Sequence, residues 1–239
     1  MPTTDQDQHR RKGELAANLE SVRRRIENAC AAVGRDATEI TMIAVTKTFP
    51  ASDVRLLAEL GVVDIGENRD QEASPKATAC TDLPLTWHFV GQLQTNKTRS
   101  VAAYANVVHS VDRPRLVTAL SAAAVRAGRV LRCLVQVALD DDTLRGGARL
   151  ADVPPLAASI TGAEGLELGG VMAVAPLGAD PAPAFAVLAD VAAAVRAEHP
   201  AATVISAGMS GDLEQAIACG ATHVRLGTAL LGGRRTIVR

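Results

Sequence analysis

Aromatic residues make up only 2% of this 239-residue chain, with one tryptophan and one tyrosine. So few rings argue against a surface that stacks nucleic-acid bases. Charge of one sign is missing too. The net charge is −1 and no block of like charges occurs, so nothing points to a nucleic-acid or acidic-surface partner. No apolar run approaches the length of a membrane span. The polar start, Met1 to Lys12, lacks the apolar core of a secretory signal, so a cytoplasmic protein is expected. Cys30, Cys80, Cys133 and Cys219 are far apart and form no C-x-x-C pair, as expected for reduced cytosolic cysteines. The five histidines form no H-x-H or H-x-x-x-H pair, so no metal site is expected and a metal-dependent hydrolase is a weak reading. Lysine is scarce: of 25 basic residues only Lys12, Lys47, Lys76 and Lys97 are lysine. Where arginine serves as the general cation, a lysine at a strand end draws notice, because lysine can lose its proton and form an imine and arginine cannot.

What is present is a rhythm. Residues 1–12 read as a disordered tail. Leu15, Leu19, Val22, Ile26, Ala29 and Val33 then follow helical spacing, with Arg23, Arg24 and Arg25 on the exposed face and Gly34 as the cap. Strand-like runs follow at Thr41–Thr46, Val62–Gly66, Thr86–Gly91, Asn106–Val111, Val130–Leu139, Glu167–Ala175, Thr203–Ala207 and His223–Leu226, with helical segments between them and a short closing segment at Ala229–Arg235. Eight strands alternating with helices predict an α/β (β/α)8 TIM barrel, with an extra N-terminal helix beneath or beside it. An open doubly wound sheet is the alternative, weakened by the absence of G-x-G-x-x-G after the first strand. Residues 13–239 are read as one domain, with no second domain expected.

In such a barrel the carboxyl ends of the strands carry the chemistry. The first run ends at Lys47. The seventh leads into Ser206-Ala-Gly-Met-Ser-Gly-Asp212, where Ser210 or Asp212 would cap a helix starting near Gly211. The eighth leads into Gly227-Thr228. Two glycine turns with hydroxyls in adjacent loops suit a phosphate, a recurrent feature of this architecture. Arg225 shares one strand face with His223 and Gly227. A buried guanidinium there needs a partner, either Glu67 or Asp112 in the protein or a ligand at the barrel mouth. A lysine, a phosphate cradle and an arginine at one rim suit pyridoxal 5′-phosphate.

The longer motifs are specific. Ala-Val-Thr-Lys47-Thr, Gly66-Glu-Asn-Arg-Asp-Gln-Glu72, Trp87-His-Phe-Val-Gly-Gln-Leu-Gln-Thr-Asn-Lys97, His109-Ser-Val-Asp112, Gly208-Met-Ser-Gly-Asp212 and Val224-Arg-Leu-Gly-Thr228, in this order, resemble the pyridoxal phosphate homeostasis proteins, single-domain relatives of the alanine racemase barrel. The resemblance runs from about Leu15 to Arg235. It implies a fold-type III barrel holding pyridoxal 5′-phosphate as an imine on Lys47. It further implies phosphate contacts at Gly208, Met209, Ser210, Gly227 and Thr228, Arg225 facing the ring nitrogen and Asn68 near the cofactor. Thr46, Arg69, Gln92, Ala207 and the Arg145-containing loop after strand five depart from the family's usual residues, but no cofactor anchor is lost.

The resemblance implies a carrier that buffers the cofactor or delivers it to apo-enzymes, with no catalytic residue. A racemase or related fold-type III enzyme is the second reading. It needs a base opposite the lysine, which in alanine racemases is a tyrosine of an additional domain. Tyr104, the only tyrosine, precedes strand four and is expected at the opposite face. His88 and His109 lie inside strands and read as packed core. Loss of a domain-swapped site makes a monomer the expectation.

Overall fold

The computed structural model describes residues 5–140 and 145–233. Eight parallel strands close a barrel in chain order: β1 (Thr41–Val45), β2 (Asp64–Glu67), β3 (Thr86–Phe89), β4 (Val107–Val111), β5 (Leu131–Gln136), β6 (Leu166–Met172), β7 (Val204–Ser206) and β8 (His223–Leu226). The seam pairs Thr41 with His223 through Ala44 with Leu226 and leaves no sheet edge. Helices α2 (Ala51–Glu59), α3 (Asp70–Ala79), α4 (Thr98–Tyr104), α5 (Pro114–Ala127), α6 (Val153–Thr161), α7 (Pro181–Glu198), α8 (Leu213–Ala218) and α9 (Thr228–Leu231) alternate with the strands. No helix among the described residues is long and apolar enough to cross a membrane.

All eight expected strands form, most of them shorter than expected. Beyond Gln136 the fifth strand gives way to a loop that returns to run parallel beside it, the Ala148 N–H donating to Gln136 O and the Ala138 N–H to Ala148 O. Asp141 and Asp142, which follow that strand in the sequence, lie outside the described residues, as do Arg234 and Arg235 of the closing segment.

The leading helix, α1, spans Asp5–Ala32, so the expected tail is already helical from Asp5; its first four residues lie outside the described ones. Tertiary anchors at the end of the supposed tail hold this first part: Arg11 pairs with buried Asp53 on α2 at 2.7 Å, and Lys12 with Glu59 at 2.6 Å. The helix lies beside the barrel. Leu15 and Leu19 pack with Val54, Leu57, Leu230 and Leu231, while Val22, Ile26, Ala29 and Cys30 pack with Leu213, Ile217, Val224 and Leu226. Val33 falls past the last turn and is exposed.

One buried polar cluster sits between β1 and β2. Glu67 is wholly buried, takes the Thr46 hydroxyl at 2.6 Å and pairs with Lys76 of α3, whose ammonium also donates to Thr46 O at 2.8 Å. Burial pushes the Glu67 carboxyl up, against the pull of Lys76 and Thr46. The cluster fixes the residue that immediately precedes Lys47. Removing one partner of a buried pair is costlier than replacing both, so Lys76→Met is expected to destabilise by about 3–5 kcal/mol at neutral pH. With its carboxyl raised, the folded state holds that proton more tightly than the unfolded chain. The penalty is therefore full above the raised folded value and fades as pH falls toward the unfolded value near ~4.3. Urea unfolding of both proteins at about pH 8 and about pH 5 checks this; an equal deficit at both would show that Glu67 is not the stranded group.

Candidate functional site

Lys47 lies two residues beyond β1, in a turn, and its side chain is exposed. It makes no hydrogen bond or ion pair with any described residue. Its neighbours are fixed on both sides. Thr46 is tied down by Glu67 and Lys76, and its N–H donates to Gly66 O at 2.9 Å. Thr48 sits at φ 68, the only described non-glycine residue at positive φ, and its N–H donates to Glu72 on α3 at 2.9 Å. A threonine there costs roughly 1–3 kcal/mol, sustained by the surrounding contacts. The fold thus holds the backbone of the lysine turn and leaves the amine free.

The loops after β7 and β8 touch. Ser210 Oγ accepts the Ala229 N–H at 3.1 Å, so Ser210 caps α9 across the gap between the loops. The expected local cap is not made: α8 begins at Leu213, and the Asp212 carboxylate instead accepts the Met209 N–H. Gly208 takes φ 87, and a Cβ there would meet the Ala216 Cβ at 2.7 Å, so the turn demands glycine. Gly227 stands beside the lysine strand, its Cβ position 3.7 Å from Val45 O. The N–H groups of Ser210, Gly211 and Thr228 donate to no described residue. Each is a donor left over at a turn.

Arg225 is buried, and it pairs with neither Glu67 nor Asp112. Both carboxylates are taken, Glu67 by Lys76 and Asp112 by Arg113. Its guanidinium donates instead to Ser206 O (2.8 Å), Ser206 Oγ (2.7 Å) and Ala173 O (2.8 Å). Burial pushes it down to about 10, so it stays cationic at neutral pH. Three of its five N–H donors are spent, leaving the Nε–H and one Nη2–H.

Ser206 passes the contact on. Its hydroxyl meets His109 Nδ1 at 3.0 Å, His109 Nε2 meets His88 Nδ1 at 2.9 Å, and His88 Nε2 meets Asp64 Oδ1 at 3.0 Å. Burial, then the neighbouring His88 and Arg225, hold His109 well below its usual range, so it is neutral. A guanidinium only donates and a carboxylate oxygen only accepts. The protons between them therefore order in one sense, from Arg225 to Ser206, His109, His88 and Asp64, which assigns both tautomers by the network rather than by observed hydrogens. His88 and His109, expected as packed core, are core residues that also carry this chain.

Asn68 follows β2, the other strand paired with β1, so it leaves the barrel rim beside the lysine turn. Its Oδ1 is buried without a partner, and it lines a groove of about 490 Å3 with Arg69, Glu72, Gln92 and Lys97. Among the other expected residues, Lys47, Arg225 and Gly227 are brought to neighbouring strands by the β1–β8 seam, and Ser210 joins them through Ala229. Sequence reading missed Lys76, Glu72 and Asp64, whose roles depend on which helix or strand packs beside them. The only advance signal was the scarcity of lysine, which singled out Lys76 as well as Lys47.

A family model described as the alanine racemase N-terminal domain matches residues 11–235. The pyridoxal phosphate homeostasis protein of Mycobacterium tuberculosis is 44% identical, over 94% of this chain and 95% of its own length. The structure of PipY from Synechococcus elongatus, solved with PLP bound, matches at TM-score 0.80 and 34% identity, over 91% of this chain and 100% of PipY. Alanine racemase from Streptomyces coelicolor, 17% identical, shares the fold at TM-score 0.73, with 93% of this chain lying on 59% of the racemase. Likeness at this identity over nearly the whole length settles the relationship: the chain belongs to the alanine racemase N-terminal domain family and, within it, to the pyridoxal phosphate homeostasis proteins.

Proposed function

We propose that this protein binds pyridoxal 5′-phosphate reversibly in the cytoplasm and buffers or delivers it, as a monomer, to apo-enzymes that need it. The observation that carries the reading is Arg225: a buried cation with two unspent donors and no ion pair among the described residues suits a ligand that brings an acceptor to the barrel mouth. The other residues fit the same molecule. The free N–H groups of Ser210, Gly211 and Thr228 suit its phosphate, with Gly208 and Gly227 giving the backbone room to approach, and Met209 between them held by Asp212. Lys47 supplies a free primary amine on a neighbouring strand. Asn68 would border the open side, toward the groove.

When bound, pyridoxal phosphate offers an aldehyde that condenses reversibly with a primary amine, releasing water. Lys47 holds the ligand by that reversible bond. The loops after β7 and β8 hold its phosphate, and their separate attachments let the phosphate stay bound while the bond to Lys47 forms or opens. Arg225 donates to the ring nitrogen. The chain of donors that starts from Arg225 runs away from the mouth toward Asp64, so the guanidinium keeps its protons and the ring nitrogen is left without one. An unprotonated ring nitrogen is a poor electron sink, which suits holding the cofactor better than catalysing with it.

The purified protein is expected to absorb in the visible once the cofactor is added, and borohydride is expected to fix the label on Lys47. Lys47→Ala should abolish the label, and a peptide map placing it on Lys97 would reject the tether. Ser210→Ala and Thr228→Ala are each expected to weaken cofactor retention by roughly 1.5–3 kcal/mol, the range for bonds to a charged group. Equilibrium dialysis that shows unchanged retention in both variants would reject a part for these hydroxyls in the cradle. Incubation of the loaded protein with a cofactor-dependent apo-enzyme should restore that enzyme's activity, while no L- or D-amino acid is turned over by the protein alone. Steady racemisation of any amino acid would overturn the carrier reading.

A further inference from the structure

Three polar side chains of α1 fall at seven-residue intervals: Arg11, Asn18 and Arg25. Seven residues come within about 20° of two full turns, so the three form one stripe along the helix, with about 10.5 Å between neighbours. Each donates to a main-chain carbonyl next to the proposed phosphate loops. Arg11 Nη2 donates to Leu231 O and Asn18 Nδ2 to Leu230 O, both at 3.0 Å and both at the end of α9. Arg25 Nη1 donates to Ser210 O at 3.0 Å, while its Nε and Nη2 grip Glu214 in the first turn of α8 at 2.7 and 2.9 Å. One helix thus anchors both loops, which are joined to each other by Ser210 Oγ and the Ala229 N–H. Arg25, expected on the exposed face with Arg23 and Arg24, is half-buried by these contacts, and its neighbours stay exposed.

We propose that Arg25 is a positioning residue for the phosphate, acting through the Ser210–Gly211 peptide. The proposal rests on the reading above that these loops hold the phosphate of pyridoxal 5′-phosphate. In a trans peptide the C=O and the N–H point in opposite directions. Arg25 draws the Ser210 carbonyl toward α1, which turns the Gly211 N–H of the same peptide away from α1, and that N–H has no acceptor among the described residues. A cation on the carbonyl also polarises the peptide and makes its N–H a stronger donor. The bidentate grip on Glu214 fixes the guanidinium so that the third bond, to Ser210, keeps its direction. Asn18 and Arg11 do the corresponding service for α9 by occupying carbonyls left without partners at its end.

The role predicts a loss specific to the phosphate. Dissociation constants for pyridoxal 5′-phosphate and for pyridoxal, which lacks the phosphate, are measured by spectral titration of the full chain and of Arg25→Ala, Arg25→Lys, Glu214→Gln and, as control, Arg23→Ala. Arg25→Ala is expected to weaken pyridoxal 5′-phosphate about tenfold or more, the scale of one bond to a charged group. Pyridoxal should change less than about twofold, since its contacts are at Lys47 and Arg225, and such a factor is worth under half a kcal/mol. Arg25→Lys, which keeps a charge for Ser210 O but loses the fork, should fall between wild type and Arg25→Ala. Glu214→Gln, in which the fork loses its carboxylate, should do the same, and Arg23→Ala should match wild type. These two milder variants carry the test if Arg25→Ala fails to fold. Equal weakening of both ligands, or no weakening of pyridoxal 5′-phosphate, would overturn the positioning role. A wild-type protein that binds pyridoxal as tightly as pyridoxal 5′-phosphate would overturn the phosphate cradle itself, and with it this role.

Discussion

A buried guanidinium with no ion pair among the described residues, eased only at longer range by the Asp212 carboxylate, is a costly feature of this barrel, and much of the interior is arranged to tolerate it. Arg225 is buried on β8 and bonded only to neutral oxygens, Ser206 O, Ser206 Oγ and Ala173 O. A stable protein would commonly neutralise such a cation or replace it with an apolar side chain. Here the compensation is spread across the barrel: Ser206, His109 and His88 form a directed file of hydrogen bonds ending on Asp64, the first residue of β2. Each member is satisfied by the next, so the interior carries a polar network without a paired charge in its middle. The arrangement leaves Arg225 charged, rigid and with donors unspent, the state in which it can meet a ligand acceptor.

The lysine end obeys the opposite logic. Lys47 itself is exposed and unpaired among the described residues, whereas the backbone around it is over-determined by Glu67, Lys76 and Glu72. The strained Thr48 is the visible consequence. An amine that forms and breaks a covalent bond benefits from a fixed base and a mobile tip. The arginine, which never changes its bonding partner, benefits from complete immobilisation. The two cations are thus built differently, in keeping with the roles proposed for them, one a tether and the other a fixed donor.

The strands were legible because short runs rich in apolar and β-branched residues, such as Thr41–Val45, alternate with helical segments; the more polar β2 and β8 were placed by that rhythm, and all eight appear. The two glycine loops were legible because turn chemistry is local; Gly208 at φ 87 is such a case. What escaped were roles assigned by neighbours distant in sequence. Ser210 was expected to cap the helix after it and instead caps α9, nineteen residues on. Arg225 was expected to find Glu67 or Asp112, but nothing in their spacing shows that Lys76 and Arg113 have already taken those carboxylates. The helical start at Asp5 was hidden by polar composition, because Arg11 and Lys12 are held by partners on α2 rather than by apolar burial of their own.

The most instructive miss is Arg25. In an amphipathic helix an arginine next to two others is assigned to water, and the apolar stripe at Leu15, Leu19, Val22 and Ile26 gave no reason to look further. The spacing of Arg11, Asn18 and Arg25 was nevertheless in the sequence, at an interval that keeps side chains in line on a helix. The apolar stripe seats α1 on the barrel. The polar stripe beside it decides what α1 holds once seated, and its targets are carbonyls at the end of the short α9 and in the loop that precedes α8. A barrel closes without an extra helix, since its eight strands already pair around the ring. A helix that packs by one stripe and donates to main-chain carbonyls by another is better understood as part of the proposed site it borders than as an addition to the fold.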